Sequence, residues 1–422
     1  MSAVDSLLDS IEIPRMAKVR QNFPRPAVGD IAGTVAKNLK DSGTLSAVKP
    51  GWKVAITAGS RGISNMPLVL KTVVESVKSA GGEPFVFPAM GSHGGATAEG
   101  QSHMLESMGI TEKYVGAPIK SSMETVVVGN APNGRPIYMD KYASEADAVV
   151  VVNRIKPHVA FRGNFESGLM KMITIGMGKQ KGADSAHRMG FGQMAENVPA
   201  YAKIVLAKKN ILCAVGLVEN AYHETAEIEV LKPSEIELRE PQMLKRAWEL
   251  YPKLFFDKLD VLVLDEIGKD ISGTGFDTNV LGRYHTPYAS GGPDIARIAV
   301  LDITDKSSGN GNGLGILDFT TRRAFEKFDF EQSYPNSLTS TVPMSVKIPM
   351  VLRNDRQAIQ SAIKTCNAMD RSAVRIVRIK NTVSLSEIEV SESLMPYAAD
   401  HPNLSVEGAV GELPFDADGN LF

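Results

Sequence analysis

Residues 52–91 read WKVAITAGSRGISNMPLVLKTVVESVKSAGGEPFVFPAMG, and this stretch decides the fold class. Its first six residues form a short apolar run, which predicts a buried strand that ends in the small-residue turn 58–62. A helix is predicted next, because apolar residues recur at a spacing of three and four: Leu68, Leu70, Val73, Val74 and Val77. Residues 83–90 predict a second strand. A strand, a helix and a strand in this order predict a right-handed crossover and a parallel sheet.

The same pattern of elements continues along the chain. Apolar runs predict further strands at 148–153, 211–218, 259–264, 298–303 and 375–379. Helices are predicted at 234–251 and 355–369, whereas the first 45 residues show no clear strand. We therefore expect an α/β protein of two domains with parallel-rich sheets and an active-site cleft between them. The predicted domains are 1–255 and 256–395, and the tail 396–422 is expected to pack back onto the first domain.

Composition excludes several classes of protein. The 422 residues include 46 Lys and Arg and 48 Asp and Glu, so the net charge is −2. A chain with this charge lacks the excess of basic residues that binds nucleic acid or an acidic membrane surface. An apolar share of 43% excludes a disordered chain, and no apolar run reaches about 18 residues. The N-terminus lacks the pattern of a secretory signal. With Cys213 and Cys366 as the only cysteines, we expect a cytoplasmic protein without a disulfide scaffold.

Three of the seven histidines follow predicted strands or Gly-rich segments, namely His93, His158 and His187. Imidazole can accept and donate a proton near neutral pH. Two such groups on opposite faces of a substrate could invert a stereocentre. The alternative for each is a structural histidine that caps a turn. The position of all three after strands favours function, because open α/β sheets bind ligands at the carboxyl ends of their strands.

The segment 167–181, SGLMKMITIGMGKQK, is small, apolar and Gly-rich with embedded lysines. A lysine in apolar surroundings has a lowered pKa and can act as a nucleophile. Lys171, between two methionines, is the best candidate for such an amine. Lys179 and Lys181 are expected to be solvated or, at most, to meet an anion. The alternative is a loop–helix junction in which all of these lysines are solvated.

Basic residues also follow the strands. Arg61 and Lys156 come directly after predicted strands, which suits a carboxylate or phosphate, although surface charge is the alternative. The glycine-rich run 309–315 fits no nucleotide-binding pattern and is predicted to be a flexible loop.

With these residues in place, the chain resembles the nickel-pincer lactate racemase family, most strongly from Trp52 to His187. The Gly-Thr-His loop of that family is similar to residues 91–93, GSH, and its second catalytic histidine matches His158. Its Ser-Gly-Gly-x-Lys loop resembles residues 167–171, SGLMK. Its nickel-ligating histidine, which follows the lysine by about four helical turns, matches His187.

This resemblance implies a cofactor and a set of roles. The cofactor is the nickel-pincer nucleotide (nickel pyridinium-3,5-bisthiocarboxylic acid mononucleotide), attached to Lys171 through a thioamide. It further implies that His187 ligates nickel and that His93 and His158 are the paired acid/base groups. The remaining implied contacts are Ser60, Arg61 and Gly176 for the cofactor, and Arg61, Lys156 and Arg283 for the substrate. Cofactor-synthesis proteins of the host are the implied partners.

The sequence departs from the family pattern at three places. The usual Asp-x-Thr-Arg is AGSR at 58–61, and the usual Gly-Thr-His-Arg is GSHG at 91–94. A Gln and a Lys of the second domain are missing near 277–283, where Arg283 could substitute. The small residues Ser60 and Gly94 predict room for a larger 2-hydroxy acid than lactate.

The sequence thus predicts an isomerase that racemises or epimerises C2 of a 2-hydroxy acid by reversible hydride transfer. Two alternatives remain at this point. One is a metal-dependent hydrolase or lyase that holds an ion directly with His93, His158 and His187. The other is a binding protein that keeps the fold without turnover.

Overall fold

The computed structural model describes residues 2–60 and 62–422, and it divides into two compact units. One unit is Pro24–Tyr251, and the other combines the residues up to Phe23 with Pro252–Phe422. Both units are built from parallel-rich sheets covered by helices, so the predicted α/β class is confirmed.

The strands are, in chain order, β1 (Met16–Gln21), β2 (Lys53–Ala58), β3 (Glu83–Pro88), β4 (Thr125–Asn130), β5 (Pro136–Asp140), β6 (Ala148–Arg154), β7 (Ile211–Glu219), β8 (Thr225–Leu231), β9 (Lys258–Ile267), β10 (Asp294–Ile303), β11 (Phe319–Thr321), β12 (Met350–Leu352), β13 (Ile376–Asn381), β14 (Ser384–Ser391) and β15 (Leu404–Val406). The α-helices are α1 (Ala3–Leu8), α2 (Ile31–Ser42), α3 (Met66–Ser79), α4 (Ala98–Ser107), α5 (Glu112–Val115), α6 (Lys141–Glu145), α7 (Leu169–Lys171), α8 (Lys179–His187), α9 (Met194–Lys208), α10 (Ile236–Glu249), α11 (Thr278–Leu281), α12 (Arg322–Lys327), α13 (Phe330–Ser340), α14 (Asp355–Thr365) and α15 (Met395–Asp400).

The unit Pro24–Tyr251 contains a five-stranded sheet in the order β3-β2-β6-β7-β8. The first four strands run parallel, and β8 is antiparallel to β7. The parallel pairing of β2 with β3 confirms the parallel sheet that residues 52–91 predicted. Residues 148–152 of β6 are all buried, as expected for a central strand covered on both faces.

This strand order defines where a ligand is expected to bind in the unit. The chain moves from β2 to β3 on one side, whereas β6 and β7 lie on the other side of β2. The direction of winding therefore changes between β2 and β6. In open α/β sheets, ligands bind outside the carboxyl ends of strands at such a switch point. A ligand is therefore expected beside the residues that follow β2, β3 and β6.

The other unit contains an eight-stranded sheet in the order β12-β11-β10-β9-β13-β14-β1-β15. The strands from β12 to β13 are parallel, and β14, β1 and β15 add antiparallel pairs. The expectation that the first 45 residues contain no strand is wrong, because Met16–Gln21 forms β1. Its side chains alternate between buried and exposed from Ala17 onward, which is the pattern of a half-buried strand.

The observed units differ from the predicted domains in the placement of the chain ends. Residues 16–20 pair with 387–391, and residues 19–21 pair with 404–406. The first 23 residues and the tail therefore belong with the second half of the chain. The predicted boundary at 255/256 lies four residues after the observed one at 251/252.

In the part of the chain that the structure describes, no helix combines the length and the apolar character needed to cross a bilayer.

Candidate functional site

The loops after β2, β3 and β6 carry most of the predicted site residues of the unit Pro24–Tyr251. Ser60 follows β2, His93 follows β3, and Lys156 and His158 follow β6. The carboxyl ends of these parallel strands share one edge of the sheet. Arg61, predicted to bind cofactor or substrate, lies outside the described residues.

Lys171 ends the short helix α7, and a π-helical turn, Met172–Gly176, follows at once. The backbone N–H of Met177 donates to the carbonyl of Met172 over 2.9 Å, which is the five-residue step of a π-helix. Such turns are rare and are found frequently at functional sites. The segment whose composition points to a functional amine at Lys171 therefore also contains a rare backbone conformation.

A buried carboxyl holds the start of this segment. Glu240 of α10 accepts the backbone N–H of Met170 over 2.9 Å and is 1% exposed. Burial raises the pKa of Glu240 to about 8, and the N–H groups of Met170 and Leu169 oppose that rise. The side-chain amide of Asn153, at the end of β6, donates to the carbonyl of Gly168 over 2.8 Å. The Lys171 segment is thus fixed to both the sheet and α10.

The π-helical turn packs directly against the loop after β3. The backbone N–H of Gly91 donates to the carbonyl of Gly176 over 3.2 Å. A Cβ at Gly176 would lie 2.7 Å from the carbonyl oxygen of Ala89. Only a glycine permits this approach, so Gly176 brings the His93 loop and the Lys171 segment together. Its predicted contact with the cofactor stays a prediction.

His187, at the end of α8, has one ring nitrogen engaged and one available. Its Nδ1 lies 2.8 Å from the carbonyl oxygen of Ala183, so Nδ1 carries the proton of the neutral ring. The lone pair of Nε2 then remains for a metal ion, which is how ligating histidines are commonly oriented. Burial lowers the pKa of His187, and the nearby charge of Lys171 lowers it further. Both effects favour the neutral ring that a metal requires.

His158 has the opposite tautomer. Its Nδ1 accepts the backbone N–H of Ala160 over 3.0 Å, so Nε2 carries the proton of the neutral ring. Its own backbone N–H donates to Glu166 over 2.6 Å. The ring is buried against Phe161, with 4.4 Å between the ring centroids. The orientation of His158 is therefore fixed by two hydrogen bonds and an aromatic contact.

Phe191 and Glu166 join these groups into one cluster, and neither was predicted from the sequence. The ring of Phe191 lies 5.5 Å from that of His187 and 6.1 Å from that of His158, measured between centroids. The charge of Lys171 acts on Glu166 as well as on His187. Burial raises the pKa of Glu166, which is 3% exposed. Glu166 is the one acidic residue between 155 and 177, a signal that could have identified it.

His93 is half-buried on the loop after β3, and its carbonyl oxygen accepts the side-chain amide of Gln101 over 3.2 Å. The main chain of Lys156 pairs with Ser167, with 2.7 Å from its N–H to the Ser167 carbonyl oxygen. This pairing ties the loop after β6 to the Lys171 segment. The structure therefore brings Lys171, His158 and His187 into one cluster and puts His93 on the loop packed against it.

Arg283 belongs to the other unit, where its guanidinium is engaged. It forms an ion pair with Asp318 over 3.3 Å and donates to the carbonyl of Ile295 over 3.1 Å. These contacts account for its position within that unit. Its predicted contact with substrate stays a prediction.

Two expectations about small or basic residues need correction. Lys179 is not solvated: it is fully buried and ion-paired with Asp140 over 3.3 Å, whereas Lys181 is exposed as expected. Gly94 does not provide room for a larger substrate. Its φ is +64°, and a Cβ there would lie 2.7 Å from the backbone nitrogen of Gln101. The glycine is required by this close packing of two backbones.

Among residues 2–60 and 62–422, no three or more His, Cys, Asp or Glu side chains are grouped so that they could hold a metal ion.

The N-terminal part of the chain matches a known family. Residues 22–198 match the family model described as the lactate racemase N-terminal domain. A comparison with curated proteins gives no match. Among solved structures, the lactate racemase apoprotein from Thermoanaerobacterium thermosaccharolyticum is similar, with a TM-score of 0.53 and 14% identity. That match covers 87% of this chain and 99% of the other, and at this identity it shows a shared fold. The matched residues 22–198 contain Lys171, His158 and His187, so this part of the chain is similar to the N-terminal domain of lactate racemases.

Proposed function

We propose that the protein is a racemase or epimerase that inverts C2 of a 2-hydroxy acid by reversible hydride transfer to a nickel-pincer nucleotide. The observation that carries this proposal is the closeness of Lys171 to His187, whose Nδ1 is held by the carbonyl of Ala183. The amine lies close enough to lower the pKa of the imidazole, and the Nε2 lone pair of that imidazole is available. A cofactor attached at Lys171 could therefore present its metal to His187.

The residues present fit such a group. Lys171 would hold the nucleotide through a thioamide, and His187 would ligate the nickel through Nε2. When bound, the cofactor supplies an acceptor for hydride, which the protein's own side chains cannot provide. The packed glycines of the Lys171 segment and the His93 loop, Gly176 and Gly91, give that acceptor a rigid backbone setting.

His93 and His158 are proposed to move the proton. One imidazole takes the hydroxyl proton while C2 loses its hydride, which gives a transient 2-keto acid. Return of the hydride to the other face, with a proton from the second imidazole, gives the opposite configuration. Two separate bases are needed because the two enantiomers present their hydroxyl groups differently.

The tautomer of His158 imposes a condition on this role. With Nδ1 accepting the Ala160 N–H, Nε2 carries the proton, so the ring would have to donate rather than accept at Nε2. To accept a proton at Nε2, the ring must first move its proton to Nδ1 and release the Ala160 N–H. A neutral hydrogen bond contributes about 1 kcal/mol net, which is small beside the barrier of a chemical step. The loss of this hydrogen bond therefore adds little to the free-energy barrier of proton transfer by His158.

The proposed substrate is a 2-hydroxy acid other than lactate. After the correction at Gly94, this part of the proposal rests on Ser60 and on the missing Gln and Lys near 277–283. A screen of 2-hydroxy acids with branched or polyhydroxylated chains tests it. Racemisation of lactate alone would contradict this part.

Replacement of the two histidines tests the proposed roles. We expect His93→Asn and His158→Asn to retain the Lys171 adduct and to lower kcat by about 10²- to 10⁴-fold, the usual contribution of general acid–base catalysis. His103→Asn is the matched control, because His103 is exposed on α4. Racemisation rates and intact masses are the measurements. Normal turnover by both site variants would exclude these residues as the acid/base pair.

A further inference from the structure

Three fully buried polar side chains lie behind the His93 loop, and the proposed mechanism does not use them. They are Gln101 of α4, Asp140 at the end of β5 and Lys179 at the start of α8. Buried ionic groups are rare unless they are paired and hydrogen-bonded. The contacts of these three side chains therefore need an explanation.

The ammonium group of Lys179 contacts three different segments of the chain. Nζ donates to the carbonyl of Pro88 over 2.5 Å and to Oε1 of Gln101 over 3.0 Å. It also pairs with Asp140 over 3.3 Å. The ammonium thus makes two hydrogen bonds and one ion pair. One of these partners, Pro88, is the last residue of β3, directly before the His93 loop.

Gln101 continues the network into the loop itself. Its Nε2 donates to the carbonyl oxygens of Gly91 over 3.1 Å and of His93 over 3.2 Å. With Oε1 bound to Lys179, every hydrogen-bonding group of this amide is engaged. The two carbonyls belong to His93 and to the residue two positions before it, so the amide determines the path of the backbone at His93.

The backbone of the His93 loop also packs closely against the start of α4, which supports the hydrogen bonds of Gln101. A Cβ at Gly94 would lie 2.7 Å from the nitrogen of Gln101 and 2.9 Å from the carbonyl oxygen of Gly100. Two glycines therefore let the loop lie directly against the start of α4. The amide of Gln101 reaches the loop carbonyls because of this contact.

Stability alone is a weak reason to keep such a network. Burial raises the pKa of Asp140 and lowers that of Lys179, so both charges are held against a desolvation cost. Apolar residues of similar volume are often as stabilising as a buried ion pair. The directional hydrogen bonds of Lys179 and Gln101 do favour one geometry, which an apolar contact would not. Lys179 also begins the helix that ends at His187.

We propose that Gln101 and Lys179 are positioning residues that fix His93 relative to the helix that carries His187. The inference rests on the proposed function, in which His93 is one of two acid/base groups. A displacement of about 1 Å in such a group can cost about 100-fold in rate. Because each histidine serves one enantiomer, displacement of His93 affects the first half of the reaction for one enantiomer only.

The test is Gln101→Met, which keeps the volume and removes both N–H donors. In the apoprotein, we expect amide hydrogen exchange in residues 88–95 to become at least about 10-fold faster, because the loop loses two hydrogen bonds. In the loaded enzyme, we expect 2-keto acid formation in a single turnover to fall about 10- to 100-fold for one enantiomer and to stay unchanged for the other. The Lys171 adduct should remain. Gln332→Met, at an exposed position, is the control.

Equal losses for both enantiomers, or unchanged exchange in 88–95, would overturn the inference. Gln101→Glu is the second variant if Gln101→Met does not fold, since a carboxylate keeps the partner of Lys179 and still removes both donors. The same two readouts and the same outcomes apply to it. A wild-type protein that turns over no 2-hydroxy acid would contradict the proposed function, whereas the exchange measurement would still decide the role of the network.

Discussion

At the scale of single residues, buried carboxyl groups surround the Lys171 segment. Glu240 accepts N–H groups at its start, and Glu166 accepts the N–H of His158. Burial raises the pKa of each, so the low-dielectric setting acts on acids and on His187 alike. These groups hold the backbone beside Lys171 and at His158 in one conformation.

Glu240 gives a pH-dependent prediction. Its pKa rises from 4.5 to about 8 in the folded protein, so the folded state keeps a proton that the unfolded chain loses between these values. Its contribution to stability is complete below pH 4.5 and is lost as the pH rises toward 8, with a slope of up to about 1.4 kcal/mol per pH unit. Glu240→Gln should remove this slope.

Urea unfolding at pH 5, 6.5 and 8 measures the effect. Glu237→Gln, an exposed position on the same helix, is the control and should keep the wild-type pH dependence. An identical pH dependence for wild type and Glu240→Gln would mean that the carboxyl is not held neutral in the folded protein.

Single residues also show what the sequence could not predict. Lys179 follows Gly178 and precedes two polar residues, so its neighbours indicate a solvated lysine. Its partner Asp140 ends strand β5, about 40 residues earlier, and only the tertiary fold brings the two side chains together. By contrast, Lys171, His158 and His187 could be selected, because the pattern of strand ends and embedded amines is local.

At the scale of elements, the apolar runs predicted the central strands well, whereas most of the shorter or half-buried strands and the π-helical turn were not predicted. The burial of β6 on both faces follows from five consecutive apolar residues. In β1, buried residues alternate with the exposed Lys18 and Arg20. This short alternating pattern lacks the continuous apolar run that indicates a strand elsewhere in the chain. The π-helical turn Met172–Gly176 has no local signature, because its extra residue is accommodated by packing against the loop after β3.

The π-helical turn gives a prediction for Gly176→Ala. The added Cβ would lie 2.7 Å from the carbonyl oxygen of Ala89, so the two segments must separate. We expect the free energy of unfolding to fall by about 1–3 kcal/mol, the usual cost of overpacking. Gly29→Ala is the control, because a Cβ there meets no atom within 4 Å. Equal stability of both variants in denaturant unfolding would show that the contact is not tight.

At the scale of the whole molecule, the division into units depends on pairing between distant parts of the chain. Strand β1 pairs with β14 and β15, which lie about 370 residues later. Sequence patterns predict that strands exist and do not show which distant strands pair. The α/β class was therefore accessible from the sequence, and the pairing of the two chain ends with each other was not.

The central claim is that Lys171 carries a nickel-containing nucleotide. Intact-mass and nickel analysis of the protein, purified from a host that makes the cofactor, tests it most directly. We predict an adduct of nucleotide size on Lys171 together with nickel, loss of both in Lys171→Ala, and retention of both in the control Lys181→Ala. An unmodified mass for the wild-type protein, or nickel and activity retained by Lys171→Ala, would contradict the account.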